Sequence, residues 1–140
     1  MDRKADARWL GDLINGKGTV RLGTGAFEGP YSFTSRFEHG AGTTPEELLG
    51  AAHASCYSMA LAHGLAQAGH PATEIATTAT VSLEKTEAGF SITKIHLETR
   101  GKVPGLSAAD FQKHAEDMKK GCIVSRALAS VPMTLDAQLV

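Results

Sequence analysis

The chain has 140 residues, 42% of them hydrophobic and 21% charged, with a formal net charge of −1. That length suits a single domain spanning residues 1–140, in the composition range of soluble globular proteins. The near-neutral balance and the lack of a basic stripe argue against a nucleic-acid partner, and no apolar run is long enough to span a membrane.

The first segment, MDRKADARWLGD, is charged and lacks the apolar centre of a signal peptide, which points to the cytoplasm. Two cysteines in a reducing compartment are more often catalytic, redox-sensing or unpaired than a permanent staple. Ala7–Leu10 and Thr19–Leu22 read as short strands separated by Gly11, Gly16 and Gly18. The segment from Tyr31 to Glu38 alternates as a strand does, with Tyr31, Phe33 and Phe37 on one face and Thr34, Arg36 and Glu38 on the other. His39–Thr43 is a turn.

The stretch from Gly42 to Gly69 predicts one long, mostly buried helix with Cys56 near its middle. Thr44 and Glu47 form a capping box around Pro45 at the first helical position. Gly69 and Pro71 mark the stop. No charged residue follows Glu47 within the helix, and a helix apolar on nearly every face belongs in a core. Beyond it, Thr77–Glu84 and Phe90–Arg100 read as a hairpin, with a phase slip that calls for a bulge near Thr93-Lys94. Ser107 caps a second helix with a Phe111, Ala115 and Met118 stripe. Cys122–Ser130 forms a further short helix, and the chain closes in a strand through Met133, Leu135, Ala137 and Leu139. The order is α+β rather than repeated βαβ.

Cys56 and Cys122 are the only thiols, 66 residues apart, so no CxxC motif applies. Cys122 follows a glycine at a helix start, where free N–H groups stabilise a thiolate. Cys56 sits in mid-helix among apolar neighbours, where burial raises a thiol's pKa and makes it inert. As a nucleophile it needs a cation. As a packed core residue it needs nothing, and free cysteine often plays that part. Glu46 has no role in the capping box, and Arg36 lies ten residues before it, so a rigid Arg–carboxylate pair is available to hold a thiolate. The plainer alternative is a dipole-complementing Glu46 and a surface Arg36. Glu46 and Cys56 are roughly 15 Å apart along a helix axis, so they meet only if the helix bends, with Gly50 as the candidate, or if the pair acting on Cys56 comes from a second subunit. A metal site at His53, Cys56 and His63 fits less well, because the third ligand is poorly placed for tetrahedral zinc.

The blocks GTTPEELLGAAHASCYSMAL and KKGCIVSRAL resemble the osmotically inducible protein C / organic hydroperoxide resistance (OsmC/Ohr) family, the OsmC branch most closely, and the resemblance runs over essentially the whole chain. It implies antiparallel sheets wrapped around two central helices in an intertwined homodimer, with sites at the subunit interface. It implies a thiol peroxidase for organic hydroperoxides with Cys56 peroxidatic, Cys122 resolving, and Arg36 and Glu46 in support. Arg21 is the fallback arginine, as in the other branch. Ile123 departs from the proline that the family often has after its second cysteine.

The implied reaction leaves Cys56 as a sulfenic acid, which Cys122 condenses with to form a disulfide. An external dithiol, lipoyl-type by resemblance, then reduces it by exchange. No metal, flavin or haem motif is visible, so no bound cofactor is expected. Leu49, Met59, Phe33 and Phe37 are candidates for an apolar pocket favouring alkyl hydroperoxides over hydrogen peroxide. Two other readings stand beside this one: a non-enzymatic binder of small apolar ligands with buried, inert thiols, and a redox sensor whose disulfide alters a partner surface.

Overall fold

In the computed structural model, which describes all 140 residues, the chain divides into two compact units, Met1–Leu48 and Leu49–Val140. The first begins with three antiparallel strands, β1 (Ala5–Leu10), β2 (Lys17–Leu22) and β3 (Glu28–Tyr31), in that order in the sheet. Gly18 lies opposite both Trp9 and Tyr31, whose rings meet at a tilt of 46° with centroids 5.3 Å apart. A Cβ on Gly18 would fall 2.4 Å from the Tyr31 ring and 2.8 Å from Trp9, so the glycine makes room for the aromatic pair.

The strand expected through Glu38 stops at Tyr31. Phe33–Phe37 is instead a single helical turn, α1. Ser32 is its N-cap: Ser32 Oγ accepts from the Ser35 N–H at 3.1 Å, and Ser35 Oγ accepts from the Ser32 N–H at 2.9 Å. This reciprocal serine pair satisfies the free donors of the turn and overrides the alternation of Phe33 and Phe37. The two phenylalanines still share a side, as i and i+4 do on a helix, with ring centroids 5.0 Å apart.

The central helix, α2, runs unbroken from Pro45 to Gln67, with no interruption at Gly50. Thr44 Oγ1 accepts from the Glu47 N–H at 3.0 Å, as a capping residue does. Glu47 does not return the bond to Thr44; its carboxylate takes the Thr43 hydroxyl at 2.6 Å. Gly69, at φ +84°, closes the helix, with His70 N–H on Leu65 O and Gly69 N–H on Ala66 O in a Schellman motif. Burial differs from the expectation of a helix covered all round. Gly50, His53, Tyr57, Leu61 and Leu65 form one buried stripe, whereas Ala51, Ala52, Ser55, Met59 and Ala66 are exposed. The exposed side is apolar too, and Met59 is 75% accessible.

The second unit holds the core. β4 (Glu74–Thr86) and β5 (Gly89–Lys102) form the expected hairpin, and the register shifts between Ser82 and Leu83, whose partners are Lys94 and Ile92, leaving Thr93 as the bulged residue. α3 (Ala108–Gly121) starts at Ser107, whose Oγ accepts from the Asp110 N–H, and buries Phe111 and Ala115. α4 (Ile123–Ala127) follows at once, capped by Cys122. β6 (Met133–Leu139) then pairs parallel to β5. This sheet is therefore mixed, not antiparallel throughout: the α3–α4 connection carries the chain back to the end where β5 began, as a parallel pairing requires.

Close contacts at two glycines join helices to strands. A Cβ on Gly50 would lie 3.1 Å from Ala79 O of β4, and one on Gly101 would lie 2.5 Å from the Phe111 ring. Tyr57, Leu61, Leu65, Ile95, Leu97, Phe111, Ala115 and Cys122 make up the buried centre. No helix is long and apolar enough to cross a membrane. Gly101→Ala should force the Phe111 ring off its seat and lower stability by about 1–3 kcal/mol. Urea unfolding followed by circular dichroism measures this, and an unchanged midpoint would show that the ring moves aside freely.

Candidate active site

Two side-chain constellations stand out, one in each unit. In the first unit, Arg36 on α1 grips Glu46 at the start of α2. Arg36 Nε donates to Glu46 Oε1 at 3.1 Å and to Oε2 at 3.3 Å, and a terminal guanidinium nitrogen donates to Oε1 at 2.7 Å. The Glu46 side chain is 8% exposed, the Arg36 side chain 38%. A buried carboxylate held this way fixes the guanidinium plane. The chain around it is braced: Ser35 Oγ donates to Thr43 O at 2.9 Å, and Thr43 N–H donates to Pro30 O at 2.9 Å. The Arg36 guanidinium carbon lies 5.3 Å from the centre of the Phe37 ring. Arg36, Trp9, Tyr31, Phe33 and Phe37 line a largely apolar cleft of ≈ 400 Å³. Arg21 has a different setting: it lies on β2, exposed, 3.8 Å from Glu28.

In the second unit, Cys56 on α2 meets Cys122 at the junction of α3 and α4. Both are free thiols, and the Cys122 thiol donates to Cys56 Sγ across 3.1 Å. Cys122 is fully buried and Cys56 half-buried. The sequence suggests that the N–H groups at the start of α4 favour a Cys122 thiolate and that Cys56 is held neutral by burial. The structure reverses the assignment. Burial does oppose ionisation of Cys56, but the Val124 N–H, the Cys122 thiol and the Ile123 N–H all point at its sulfur and together hold its pKa below the ordinary thiol value. Cys122 is pushed the other way, first by burial and then by giving its proton to Cys56, with hydrogen bonds from Ser125 and Val124 opposing only in part. Cys56 is the readier thiolate, and its electrostatic help comes from backbone amides of the same unit rather than from a cation alone.

His53, one helical turn before Cys56, is fully buried and pairs with buried Ser125 through Nε2 at 2.7 Å. Sequence reading considered His53 only as a metal ligand and did not single out Ser125. The only sequence signal for the pair is a histidine in step with Tyr57, Leu61 and Leu65 along one side of a mostly apolar helix.

Set beside known proteins, the chain matches the family model described as OsmC-like protein over residues 38–136. It is 50% identical over 140 residues to the Escherichia coli (strain K12) protein named Peroxiredoxin OsmC, covering 99% of this chain and 97% of that one. The chain belongs to the OsmC family. The protein of the same name from Shigella flexneri matches equally well. The fold also matches solved structures of low identity: the organic hydroperoxide resistance protein OhrB of Bacillus subtilis, with TM-score 0.75, 22% identity and coverage of 96% of this chain and 98% of that one, and an OsmC-like protein of Mycoplasma pneumoniae, with TM-score 0.71, 21% identity and coverage of 100% and 99%.

Within this OsmC chain, Ile123 contributes something that a proline cannot, a backbone N–H aimed at Cys56. Ile123→Pro should therefore raise the pH at which Cys56 ionises while leaving the Val124 and Cys122 donors in place. The rate of iodoacetamide alkylation of Cys56 as a function of pH reads this directly. The wild-type curve should fall away below a midpoint lower than that of free cysteine, and the variant's midpoint should lie higher. Coincident curves would show that the Ile123 N–H contributes nothing.

Proposed function

We propose that this chain is a cysteine-based peroxidase that reduces organic hydroperoxides to alcohols, with Cys56 as the peroxidatic residue and Cys122 as the resolving one. The observation that carries the reading is the 3.1 Å contact between a Cys56 thiol made easier to ionise and a protonated Cys122. The Cys56 thiolate attacks the distal peroxide oxygen, the O–O bond breaks, and the alcohol leaves with a proton, so that Cys56 becomes a sulfenic acid. Cys122 then condenses with it and water departs. A disulfide needs a sulfur–sulfur distance near 2.05 Å, so closure asks for a movement of about 1 Å. An external dithiol of lipoyl type reduces the disulfide by exchange, and no bound cofactor takes part. A reducing compartment such as the cytoplasm suits this cycle.

Arg36 and Glu46 complete the site, and they come from a second copy of the chain. Glu46 and Cys56 lie roughly 15 Å apart along an unbroken helix, so the pair cannot serve its own Cys56 through that helix. An intertwined homodimer supplies it from the partner. Two features support the dimer. One is the apolar side of α2, with Ala51, Ala52, Met59 and Ala66 exposed in the isolated chain. The other is the sheet of β1, β2 and β3, in which only Gly18 is buried, far less than a stable three-stranded sheet needs. Phe33 and Phe37 beside Arg36 give the cleft its apolar character and favour alkyl hydroperoxides over hydrogen peroxide. Met59 belongs to the dimer face of α2.

The test is peroxide consumption with a dithiol reductant. Cumene hydroperoxide should be turned over with a kcat/KM at least tenfold above that for hydrogen peroxide. Cys56→Ser should abolish turnover of both. Equal, slow loss of both peroxides, unaffected by Cys56→Ser, would favour the apolar-ligand binder. The composite site has its own test. Arg36→Met and Cys56→Ser homodimers should each lose activity, Arg36→Met by roughly 10- to 100-fold, as expected for a hydrogen-bonded charge at a reacting centre. Mixing the two under exchange should restore one intact site per heterodimer, which gives isolated heterodimer about half, and an equimolar exchanged mixture about a quarter, of the wild-type activity. No recovery in verified heterodimers would mean that Arg36 acts within its own chain.

A further inference from the structure

We infer that His53 and Ser125 form a hydrogen-bond chain that prepares Cys122 to resolve the Cys56 sulfenic acid, with Ser125 as the group touching the reacting sulfur and His53 as its positioning residue. This rests on the peroxidase reading and adds to it the residues that control the second step.

The geometry fixes the direction of the chain. His53 is 0% exposed and Ser125 3%. His53 Nε2 lies 2.7 Å from Ser125 Oγ, whereas Nδ1 is buried with no hydrogen-bond partner. A proton on Nδ1 would be a buried donor without an acceptor, so the neutral ring carries its proton on Nε2 and donates it to Ser125 Oγ. Burial keeps the ring neutral by lowering its pKa. Ser125 follows Cys122 by three residues in the first turn of α4, and with one lone pair occupied by His53 its hydroxyl turns its own proton toward the Cys122 sulfur, where it favours the ionised form. The order is His53 Nε2–H to Ser125 Oγ–H to Cys122 Sγ.

Such a chain matters little while Cys122 keeps its proton. It matters when negative charge develops on the Cys122 sulfur. In that step the Cys122 thiol proton passes to the hydroxyl leaving Cys56, the Cys56 S–O bond breaks, the S–S bond forms and water departs. The Cys122 sulfur is oxidised by one unit and the Cys56 sulfur reduced by one. A hydrogen bond to a charge in a water-poor site, itself polarised by a second donor, is stronger than one from an isolated hydroxyl.

Rapid mixing of reduced protein with one equivalent of cumene hydroperoxide separates the two steps. Sulfenic acid formation is followed by trapping with dimedone, and disulfide formation by loss of the second thiol. In Ser125→Ala, the ratio of the second rate to the first should fall by about tenfold or more, the worth of one hydrogen bond to an ionised group. His53→Leu should lower the ratio likewise, and His53→Gln, which retains a donor to Ser125, should recover most of it. An unchanged ratio in Ser125→Ala, or a His53→Gln ratio as low as that of His53→Leu, would overturn the proposal. A peroxide-independent measurement stands beside it. In Cys56→Ser protein, the thiolate absorbance of Cys122 near 240 nm should appear at higher pH when Ser125→Ala is added. Identical titrations would overturn the chain even if the protein proves not to be a peroxidase. Wild-type protein that forms no sulfenic acid would instead count against the peroxidase reading.

Discussion

The chemistry of this chain depends on one contact, the hydrogen bond from the Cys122 thiol to Cys56 Sγ beneath the first turn of α4. It assigns the roles. Two thiols sharing one hydrogen bond cannot ionise together, because a second thiolate on buried Cys122, 3.1 Å away, would face both burial and like charge. The sulfur that receives donors from Val124, Ile123 and Cys122 ionises first, and the sulfur that gives its proton away stays neutral. In the proposed reaction, the peroxidatic part of Cys56 and the resolving part of Cys122 then follow from the direction of a single proton. Once Cys56 is oxidised the competition ends, and Cys122 is already within about 1 Å of bonding distance.

That contact is held by packing on both sides. Tyr57, next to Cys56, is fully buried and donates its hydroxyl to Ala115 O at 2.8 Å, roughly two turns before Cys122 along α3. The bond ties α2 to α3 one residue after Cys56. Gly50 lets α2 come against Ala79 of β4, and Gly101 lets Phe111 seat α3 on β5. The sulfur–sulfur distance is thus a consequence of helix–sheet packing, which transmits small volume changes because protein interiors are close-packed.

Much of this was legible in the sequence wherever a local rule decides the outcome. Thr44, Pro45, Gly69 and Ser107 marked the helix ends through capping chemistry that tertiary structure does not override. The phase slip near Thr93 marked a bulge because a period of two cannot absorb an extra residue silently. Glu46 lacks a local partner in the sequence, which leaves a pair with Arg36 open beside the plainer reading, and the family resemblance points to the pair. The failures came where nonlocal contact decides. Ser32 and Ser35 cap a turn through side-chain bonds that hydrophobic alternation does not register, so Arg36 was placed on a strand instead of α1. The donors at the start of α4 were visible in Gly-Cys-Ile-Val, but which sulfur they serve depends on where α2 passes. The composition of α2 makes two sides apolar, and only the fold decides which one the chain's own sheet covers. Ser125 had no signal at all until His53 was found against it.

The most direct test of the central claim is peptide mapping of the protein after one equivalent of cumene hydroperoxide, quenched with an alkylating reagent at successive times. The account predicts that Cys56 is modified first, as a sulfenic acid, and that both thiols then disappear together into a Cys56–Cys122 link within one chain. Oxidation that begins at Cys122, or that ends in disulfides between chains with Cys122 still free, would contradict it.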